Sequence, residues 1–264
     1  MPNRIEIRDL CIGYGARSKN IKTIGCHLNG CLIEGQLTCL LGANGVGKST
    51  LLKTLSGFLP KLGGNILISD NGRNGHKDIT EYSDKELAKL IGVVLTSKPD
   101  IQNMSAREMV ALGRSPYTGF WGSLGEEDNH IVDKAMEMVG ISELSKRMID
   151  TLSDGERQRV FVAKALAQDT PVILLDEPSA FLDFPSKIQL FRLLRRLAHE
   201  EGKAILMSTH DVEPALQLAD QLWLLSRDEL CCGTPEALAG AGEIGRFFDR
   251  SGLRFNAGQR RFVY

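Results

Sequence analysis

Residues 42–50 of the chain read Gly42-Ala43-Asn44-Gly45-Val46-Gly47-Lys48-Ser49-Thr50. They fit the pattern GxxxxGK followed by serine or threonine, which is typical of phosphate-binding loops. The continuous apolar run Leu37–Leu41 precedes the loop, and apolar residues at helical spacing follow it over Lys48–Phe58. A run of this kind indicates a strand that is buried on both faces. A buried strand, a glycine-rich turn and a helix in this order predict an α/β nucleotide-binding fold, in which residues 42–50 contact the nucleotide.

The residue types of the loop suit this chemistry. Glycines let successive backbone N–H groups converge on a phosphate, and the start of the following helix adds a positive dipole. Lys48 would supply a mobile positive charge to the β- and γ-phosphates, and the Ser49 hydroxyl is a hard oxygen ligand of the kind that Mg²⁺ prefers. The alternative, a glycine-rich turn with a chance lysine, does not account for the strand and helix on either side.

A second apolar strand, Val172–Leu175, ends in the two carboxylates Asp176 and Glu177. At the carboxyl end of a parallel strand, Asp176 would lie beside Ser49 and help to hold Mg²⁺. Glu177 would then face the γ-phosphate, where a carboxylate can orient or deprotonate the attacking water. The alternative is a buried strand followed by two solvated acids, and the phosphate-binding loop upstream argues against it.

Strands and helices alternate through the rest of the chain. This alternation predicts a mostly parallel sheet with helices on both faces. Further strands are predicted at Ile5–Ile7 with Leu10–Ile12, Lys22–Leu28, Ile91–Leu95, Ala204–Ser208 and Leu222–Ser226. Helices are predicted from the capping-box spacing of Ser83 and Glu86, and at Val160–Ala167, Ile188–His199, Val212–Leu218 and after Thr234 and Pro235. Between about Thr96 and Thr151 the apolar periodicity indicates a helical insert.

Composition sets limits on the class of protein. The chain has 264 residues, 42% of them apolar and 25% charged, with a net charge of −1. It therefore carries no overall charge that would attract nucleic acid or anionic lipid, and no nucleic-acid partner is expected. We expect a soluble cytoplasmic protein, because no signal peptide and no membrane-spanning apolar run is present. Six cysteines without metal-ligand spacing are expected to be reduced thiols: Cys11, Cys26, Cys31, Cys39, Cys231 and Cys232.

The segment Leu152-Ser-Asp-Gly-Glu-Arg-Gln158 narrows the class further. It resembles the LSGGQ signature of the ATP-binding-cassette (ABC) family, which stands just upstream of the Asp-Glu strand. Tyr14 matches the aromatic residue that stacks on adenine, Ser179–Asp183 the family's D-loop, and His210 its switch histidine. The resemblance covers nearly the whole chain, and the order of the motifs also matches. Taken singly, Tyr14 or His210 could be a packing residue, and Asp183 could be a turn residue.

The resemblance implies a fold and a division of the chain. The expected fold is a RecA-like P-loop NTPase core with a mostly parallel sheet, an N-terminal antiparallel β region and an inserted α-helical subdomain. Residues 1–264 would form a single ABC ATPase domain. Within it, residues 1–95 and 156–233 would be the nucleotide-binding core and residues 96–155 the helical and signature subdomain. Residues 234–264 would be a C-terminal extension.

The resemblance also implies that two copies stack head to tail. Each ATP, with its Mg²⁺, would lie between the loop of one copy and Ser153, Asp154, Gly155 and Glu156 of the other. Glu177 and His210 would be the catalytic residues. The spacing of Ser153 and Glu156 also forms a capping box, so the segment is a predicted helix start and a ready site for an anion.

Two positions depart from the family pattern. Asp154 stands where glycine is usual, and Glu156 where glutamine is usual, so negative charge would approach the partner's γ-phosphate. We predict that this weakens the ATP-bound dimer. Thr96 occupies the position of a glutamine that contacts Mg²⁺ or water, and its hydroxyl can still reach a metal-bound water. Gln102 lies too far downstream to replace that glutamine.

The predicted helical insert contains Gly113-Arg114-Ser-Pro116-Tyr117 and, further on, Trp121. This segment resembles that of ATPases from iron-siderophore, haem and vitamin B12 importers. The resemblance implies that the segment docks on a transmembrane permease, with Arg114 and the aromatic residues in the contact, or else is an exposed turn. It also implies a peripheral position on the inner face of the membrane and an indirect link to a substrate-binding protein. Iron-siderophore uptake is the first expectation, with cobalamin and haem next.

Other classes of P-loop protein fit the sequence to different degrees. A soluble ABC ATPase without transport, such as one for iron–sulfur cluster assembly, remains open. Translation-type members carry two cassettes, and DNA-repair members need long coiled coils that this chain lacks. A P-loop kinase or GTPase does not explain the signature segment. A nucleotide-binding module that does not hydrolyse ATP remains a further alternative if Thr96 and the altered signature disable turnover.

Overall fold

The computed structural model describes residues 2–16, 20–69, 75–95, 103–119, 122–227 and 229–248, and the backbone of two short strands beyond them. The strands are β1 (Asn3–Tyr14), β2 (Lys22–Ile33), β3 (Leu37–Leu41), β4 (Gly63–Ser69), β5 (His76–Asp78), β6 (Ile91–Val94), β7 (Val172–Leu175), β8 (Ala204–Ser208), β9 (Gln221–Leu225), β10 (Leu230–Gly233), β11 (Arg254–Asn256) and β12 (Arg261–Val263). The α-helices are α1 (Lys48–Leu55), α2 (Asp84–Leu90), α3 (Ala106–Ala111), α4 (Glu126–Met138), α5 (Asp154–Ala167), α6 (Phe184–Glu201), α7 (Val212–Leu218), α8 (Pro235–Gly240) and α9 (Glu243–Phe248).

The larger sheet has six strands in the order β10-β9-β3-β8-β7-β6. All its neighbouring pairs are parallel except β10 with β9. Every residue of β3, β7 and β8 is buried, as expected of strands covered by helices on both faces. The predicted parallel α/β fold is therefore confirmed. The carboxyl ends of β3, β8 and β7 lie side by side, which brings the segments that follow them to one edge of the sheet.

The N-terminal antiparallel region is a four-stranded sheet in the order β2-β1-β4-β5. β1 and β2 are longer than the sequence patterns predicted, and β4 and β5 were not predicted. Asp78 at the end of β5 stabilises this sheet through hydrogen bonds. Its carboxylate accepts hydrogen bonds from Lys61 Nζ (2.6 Å), Ile66 N (3.2 Å) and both the N–H and the hydroxyl of Thr80. Apolar residues of β1, β2 and β4 pack with β3, β7 and β8 in one buried cluster, so this sheet lies against the core.

The cysteine prediction is wrong for one pair. Cys11 on β1 and Cys26 on β2 form a disulfide, with their Cα atoms 4.0 Å apart. The two strands are antiparallel neighbours, and the pairing of Leu10 with Leu28 and of Ile12 with Gly25 places the cysteines opposite each other. Strand pairing brings them together, and their spacing along the chain does not reveal it. The remaining four cysteines are free thiols: Cys31, Cys39, Cys231 and Cys232.

The predicted helical insert contains helices α3 and α4, joined by turns and single-turn helices, and ends in the start of α5. Helices α3, α4 and α5 pack against one another and share a buried apolar cluster. The predicted subdomain boundary at residue 155 falls within the first turn of α5, and the helical region continues to Ala167. Within the described ranges, no helix combines the length and the apolar character needed to cross a membrane.

Candidate functional site

The loop between β3 and α1 has the backbone that phosphate binding requires. Gly45 and Gly47 have φ values of 75° and 116°, in the region that favours glycine. A Cβ atom at Gly47 would also lie 2.6 Å from the Cγ2 atom of Ile24, so both conformation and space exclude a side chain there. Gly47 is the N-cap residue of α1. The N–H groups of the first helical turn have no partner within the helix and are available to a ligand in the loop.

Lys48 is the buried cation of the loop, with only 5% of its surface exposed. Its ammonium group donates to the carbonyl oxygens of Gly42 (2.9 Å) and Ala43 (3.3 Å). Burial lowers the pKa of Lys48, while the nearby carboxylates of Glu177 and Asp176 act in the opposite direction. The loop therefore holds one desolvated positive charge where the predicted phosphate site lies, and a polyanion would compensate it.

The carboxyl end of β7 meets the start of α1, as the sequence analysis expected for Asp176 and Ser49. The Ser49 hydroxyl donates to Asp176 Oδ1 (3.0 Å), and the hydroxyl of Ser208 at the end of β8 donates to the same oxygen (2.8 Å). A serine hydroxyl and a carboxylate side by side form the hard-oxygen donor set that suits Mg²⁺. Among the described residues, no group of three or more His, Cys, Asp or Glu side chains could hold a metal ion. Ser49 and Asp176 supply two oxygen ligands, so a Mg²⁺ ion held by them would take its other ligands from phosphate and water.

Glu177 and His210 come together from neighbouring strands. His210 Nε2 lies 2.8 Å from Glu177 Oε1 and 3.3 Å from Lys48 Nζ. The shorter contact indicates an Nε2–H group that donates to the carboxylate. Glu177 has a φ of 48°, which is unusual for a residue other than glycine. Both side chains are partly exposed.

Tyr14 lies at the end of β1 and reaches the first turn of α1. Its hydroxyl is 3.1 Å from Thr50 Oγ1, and 45% of the residue is exposed. The ring thus stands beside the loop with a free surface, as a residue that stacks on a base requires. The pairing of Tyr14 with Lys22 on β2 holds the backbone at this point.

The signature segment is a capped helix start, as its spacing predicted. The Ser153 hydroxyl accepts from Glu156 N (3.3 Å), and Glu156 Oε2 accepts from Ser153 N (2.8 Å) and from the Ser153 hydroxyl (2.9 Å). These hydrogen bonds from Ser153 lower the pKa of Glu156. Both acidic departures lie near arginines of the same chain. Arg147 Nη1 is 3.3 Å from Glu156 Oε1, and Arg157 Nη1 is 4.0 Å from Asp154 Oδ1.

Asp183 caps helix α6. Its carboxylate accepts from Ser186 N (3.0 Å), and this bond together with the Ser186 side chain lowers the pKa of Asp183. The predicted D-loop is tied to the segment after β8 as well. Ser179 donates to Asp211 Oδ2 (2.7 Å), and Lys187 Nζ binds Asp211 Oδ1 (2.6 Å). Asp211, which directly follows His210, was not among the predicted site residues.

Thr96, Gln102 and Trp121 lie outside the described residues. The prediction that Arg114 contacts a partner protein is wrong, because Arg114 is buried and fully engaged within the chain. Its Nε donates to Asp128 Oδ1 (2.8 Å) and its Nη1 to the carbonyl of Ala167 (2.9 Å).

The neighbours of Arg114 confirm its internal role. Its guanidinium lies 4.0 Å from the centre of the Tyr117 ring, and Lys89 Nζ lies 5.3 Å from the same centre. A Cβ atom at Gly113 would collide with the carbonyl oxygen of Lys164 on α5. The Gly-Arg-Ser-Pro segment therefore joins the insert to the end of α5, and Tyr117 is partly exposed at the surface.

A phosphate-binding loop, two carboxylates on the next strand but one and a histidine between them define a P-loop ATPase with a helical insert. The family profile of ABC transporters matches residues 26–180. The achromobactin transport ATP-binding protein of Dickeya dadantii is 38% identical over 83% of this chain and 77% of its own length. The chain belongs to the ABC transporter family and is an ATP-binding ATPase of that family.

Two further comparisons agree with this assignment. The iron(3+)-hydroxamate import ATP-binding protein of Bacillus subtilis is 36% identical over 85% of this chain and 80% of its own length. Among solved structures, the dimeric structure of a bacterial ABC transporter cassette superimposes with a TM-score of 0.71 at 26% identity. That match covers 88% of this chain and 98% of the cassette.

Proposed function

We propose that the chain is the ATP-hydrolysing subunit of an ABC importer and drives uptake of an iron-siderophore or a related chelate (haem or cobalamin) through a separate membrane permease. The network that joins Ser49, Asp176, Glu177 and His210 carries the proposal for the chemistry. The substrate class is supported by the relatives from D. dadantii and B. subtilis, which are ATP-binding proteins of achromobactin transport and of iron(3+)-hydroxamate import.

Each residue of the site has a defined part in the proposed reaction. The loop N–H groups and Lys48 bind the β- and γ-phosphates, and Tyr14 stacks on the adenine. Ser49 and Asp176 would hold Mg²⁺, which neutralises charge on the phosphates when it is bound. Glu177 orients the attacking water and accepts its proton, and His210 holds Glu177 and contacts the γ-phosphate.

Two copies of the chain are proposed to bind ATP between them, head to tail. The start of α5 presents Ser153, Gly155 and the N–H groups of its first turn, which attract an anion. This surface would close over a γ-phosphate held by the loop of the other copy. The dimeric cassette structure among the comparisons supports pairing as a property of such chains.

The proposed permease would place the chain on the cytoplasmic face of the membrane. The chain would contribute energy and a docking surface, and a substrate-binding protein would act indirectly through the permease. Within the helical region, Tyr117 remains available at the surface, whereas Arg114 does not. The partner of this face would therefore meet the aromatic ring and not the guanidinium.

The test is affinity purification of the tagged chain from membranes in mild detergent, followed by an ATPase assay. We expect a co-purifying subunit with many transmembrane helices and ATP hydrolysis that depends on Mg²⁺. A Lys48→Ala variant should recover the same subunit without hydrolysis, and so separates association from chemistry. Recovery with soluble proteins alone would contradict the importer and favour the cluster-assembly alternative.

A further inference from the structure

Ser208 occupies a central place among the proposed catalytic groups. It is the last residue of β8, which lies between β3 and β7, and it is fully buried. Its hydroxyl donates to Asp176 Oδ1 (2.8 Å) and accepts from the backbone N–H of Glu177 (2.8 Å). One hydroxyl therefore bridges the two consecutive residues that follow the neighbouring strand β7, and it acts both as donor and as acceptor.

The bond to Glu177 N falls where the backbone is unusual. Glu177 has a φ of 48°, a conformation that costs free energy for a residue with a side chain. The conformation turns the chain sharply after Asp176, so that the two consecutive carboxylates point to different partners: Ser49 for Asp176 and His210 for Glu177. A buried acceptor that faces the Glu177 N–H stabilises this turn, because an unpaired N–H in the same place would be costly.

We propose that Ser208 is a positioning residue for ATP hydrolysis, whose hydroxyl fixes the Asp176 carboxylate and the left-handed backbone of Glu177 relative to each other. The inference rests on the proposed roles of Asp176 and Glu177. Ser208 itself is fully buried. It therefore acts on the rate through Glu177 and not on nucleotide binding through the loop.

Residue type at this position decides the effect. Alanine removes both hydrogen bonds and leaves Glu177 N and one lone pair of Asp176 without their buried partner. Ser49 also donates to Asp176 Oδ1 (3.0 Å), but no bond of Ser49 replaces the acceptor for Glu177 N. Threonine keeps the hydroxyl and adds one methyl group, so it separates the loss of the hydrogen bonds from the disturbance of packing.

The chain offers a matched control in Thr38. This residue lies on β3, opposite Leu206 of β8, and is fully buried. Its hydroxyl has no hydrogen-bond partner among the described residues. Thr38→Val therefore removes a buried hydroxyl from the same part of the sheet without touching the carboxylates.

The experiment measures kcat and KM for ATP with the full-length chain as Ser208→Ala, Ser208→Thr, Thr38→Val and wild type. Thermal unfolding confirms that each variant is folded. We expect kcat of Ser208→Ala to fall about tenfold with KM changed less than about twofold, the size of effect that loss of a hydrogen bond to a charged group commonly has. Ser208→Thr should recover most of the rate, and Thr38→Val should match wild type.

The possible results are distinct. An unchanged kcat for Ser208→Ala, or an equal loss in Thr38→Val, would overturn the positioning role. A fall in kcat that Ser208→Thr does not recover, although that variant unfolds at the wild-type temperature, would also overturn it. Absence of hydrolysis in the wild-type chain, alone and with its membrane partner, would refute the proposed function itself.

Discussion

His210 Nε2 lies 2.8 Å from Glu177 Oε1, at the carboxyl ends of two adjacent parallel strands. The imidazole also lies 3.3 Å from the ammonium of Lys48, so the histidine stands between the proposed base and the phosphate-binding loop. A γ-phosphate bound by Lys48 would thus be within reach of the same ring that holds Glu177. Because Lys48 and the loop would bind the phosphates, a mutation of Glu177 should affect hydrolysis and leave nucleotide binding intact.

Glu177→Gln should abolish hydrolysis and preserve ATP binding. The amide cannot accept the proton of the attacking water, and a general base contributes about 100-fold or more to the rate. We expect ATP-bound dimers to accumulate, visible by size-exclusion chromatography with Mg²⁺ and ATP. Glu127→Gln, which changes an exposed glutamate on α4, is the matched control. Rapid residual turnover in Glu177→Gln would refute its role.

Conversion of the signature to its usual form should strengthen the ATP-bound dimer. Asp154→Gly with Glu156→Gln removes two negative charges from the proposed phosphate contact and frees Ser153 from a carboxylate acceptor. We expect dimer affinity to rise about threefold to tenfold, the range for partly exposed charges. Light scattering at several ATP concentrations, in the Glu177→Gln background, measures the dimer affinity.

The chain supplies its own control for this experiment. Ser105 and Glu108 form a capping box at the start of α3, with the serine hydroxyl 2.6 Å from Glu108 Oε2. Glu108→Gln therefore makes the same change as Glu156→Gln, at a capping box that lies outside the proposed nucleotide site. An unchanged dimer affinity in the double variant, or an equal gain in Glu108→Gln, would discard the prediction.

Tyr14→Ala should weaken ATP binding about tenfold, and Tyr14→Phe should bind nearly as well as wild type. The reason is that a stacked aromatic ring contributes roughly 1–3 kcal/mol to binding of a base. The hydroxyl contact with Thr50 Oγ1 contributes to the position of the ring only. Fluorescence titration with a nucleotide analogue measures the affinity of both variants for nucleotide. A large loss in Tyr14→Phe would assign the effect to the hydroxyl instead.

Arg114→Ala should destabilise the chain by about 3 kcal/mol, because it leaves Asp128 and the Ala167 carbonyl without their partner in a buried site. Denaturation with urea measures this change. Arg192→Ala, at an exposed position of α6, should change stability by less than about 0.5 kcal/mol. A stable Arg114→Ala variant that loses its membrane partner would restore the docking role.

Acid should weaken the N-terminal sheet through Asp78. Burial alone would raise the pKa of Asp78, but hydrogen bonds from Lys61, Thr80 and Ile66 outweigh it, and the pKa lies well below its usual range. A depressed carboxyl pKa stabilises the folded state above the ordinary value of about 4. This stabilisation is lost as the pH falls from there towards the folded-state pKa.

Asp78→Asn should therefore lower the free energy of unfolding at pH 7 by about 2 kcal/mol and flatten its dependence on pH below about 4. Urea unfolding at pH 7 and at acidic pH, on wild type and variant, measures both effects. Asp133→Asn, which changes a carboxylate on the exposed side of α4, serves as control. Parallel pH profiles for wild type and Asp78→Asn would contradict the assignment.

Local patterns in the sequence predicted much of the core. Strands Leu37–Leu41, Val172–Leu175 and Ala204–Ser208 and helix Val212–Leu218 have the predicted bounds, because each is a short apolar segment between clear breaks. Thr234 caps the helix that starts at Pro235, also as predicted. Such elements depend on neighbours in the chain, and the neighbours are visible in the sequence.

Features that depend on the pairing of distant segments were missed. The bond between Cys11 and Cys26 follows from the register of β1 and β2, and the bridge made by Ser208 follows from the place of β8 beside β7. The sequence around a serine at the end of an apolar strand does not indicate that its hydroxyl makes this contact. Arg114 was assigned to a partner contact because its segment resembles that of importer ATPases, whereas Asp128, which pairs with it, comes from a later helix.

The strand order has a consequence for synthesis of the protein. β8 is inserted between β3 and β7, although it follows both of them in the chain. While a ribosome is still making the segment before Ala204, β3 and β7 cannot acquire the neighbour that they share. Their apolar edges are then open to other nascent chains or to chaperones. The six-stranded sheet can therefore be completed only late in translation, after β8 has left the exit tunnel.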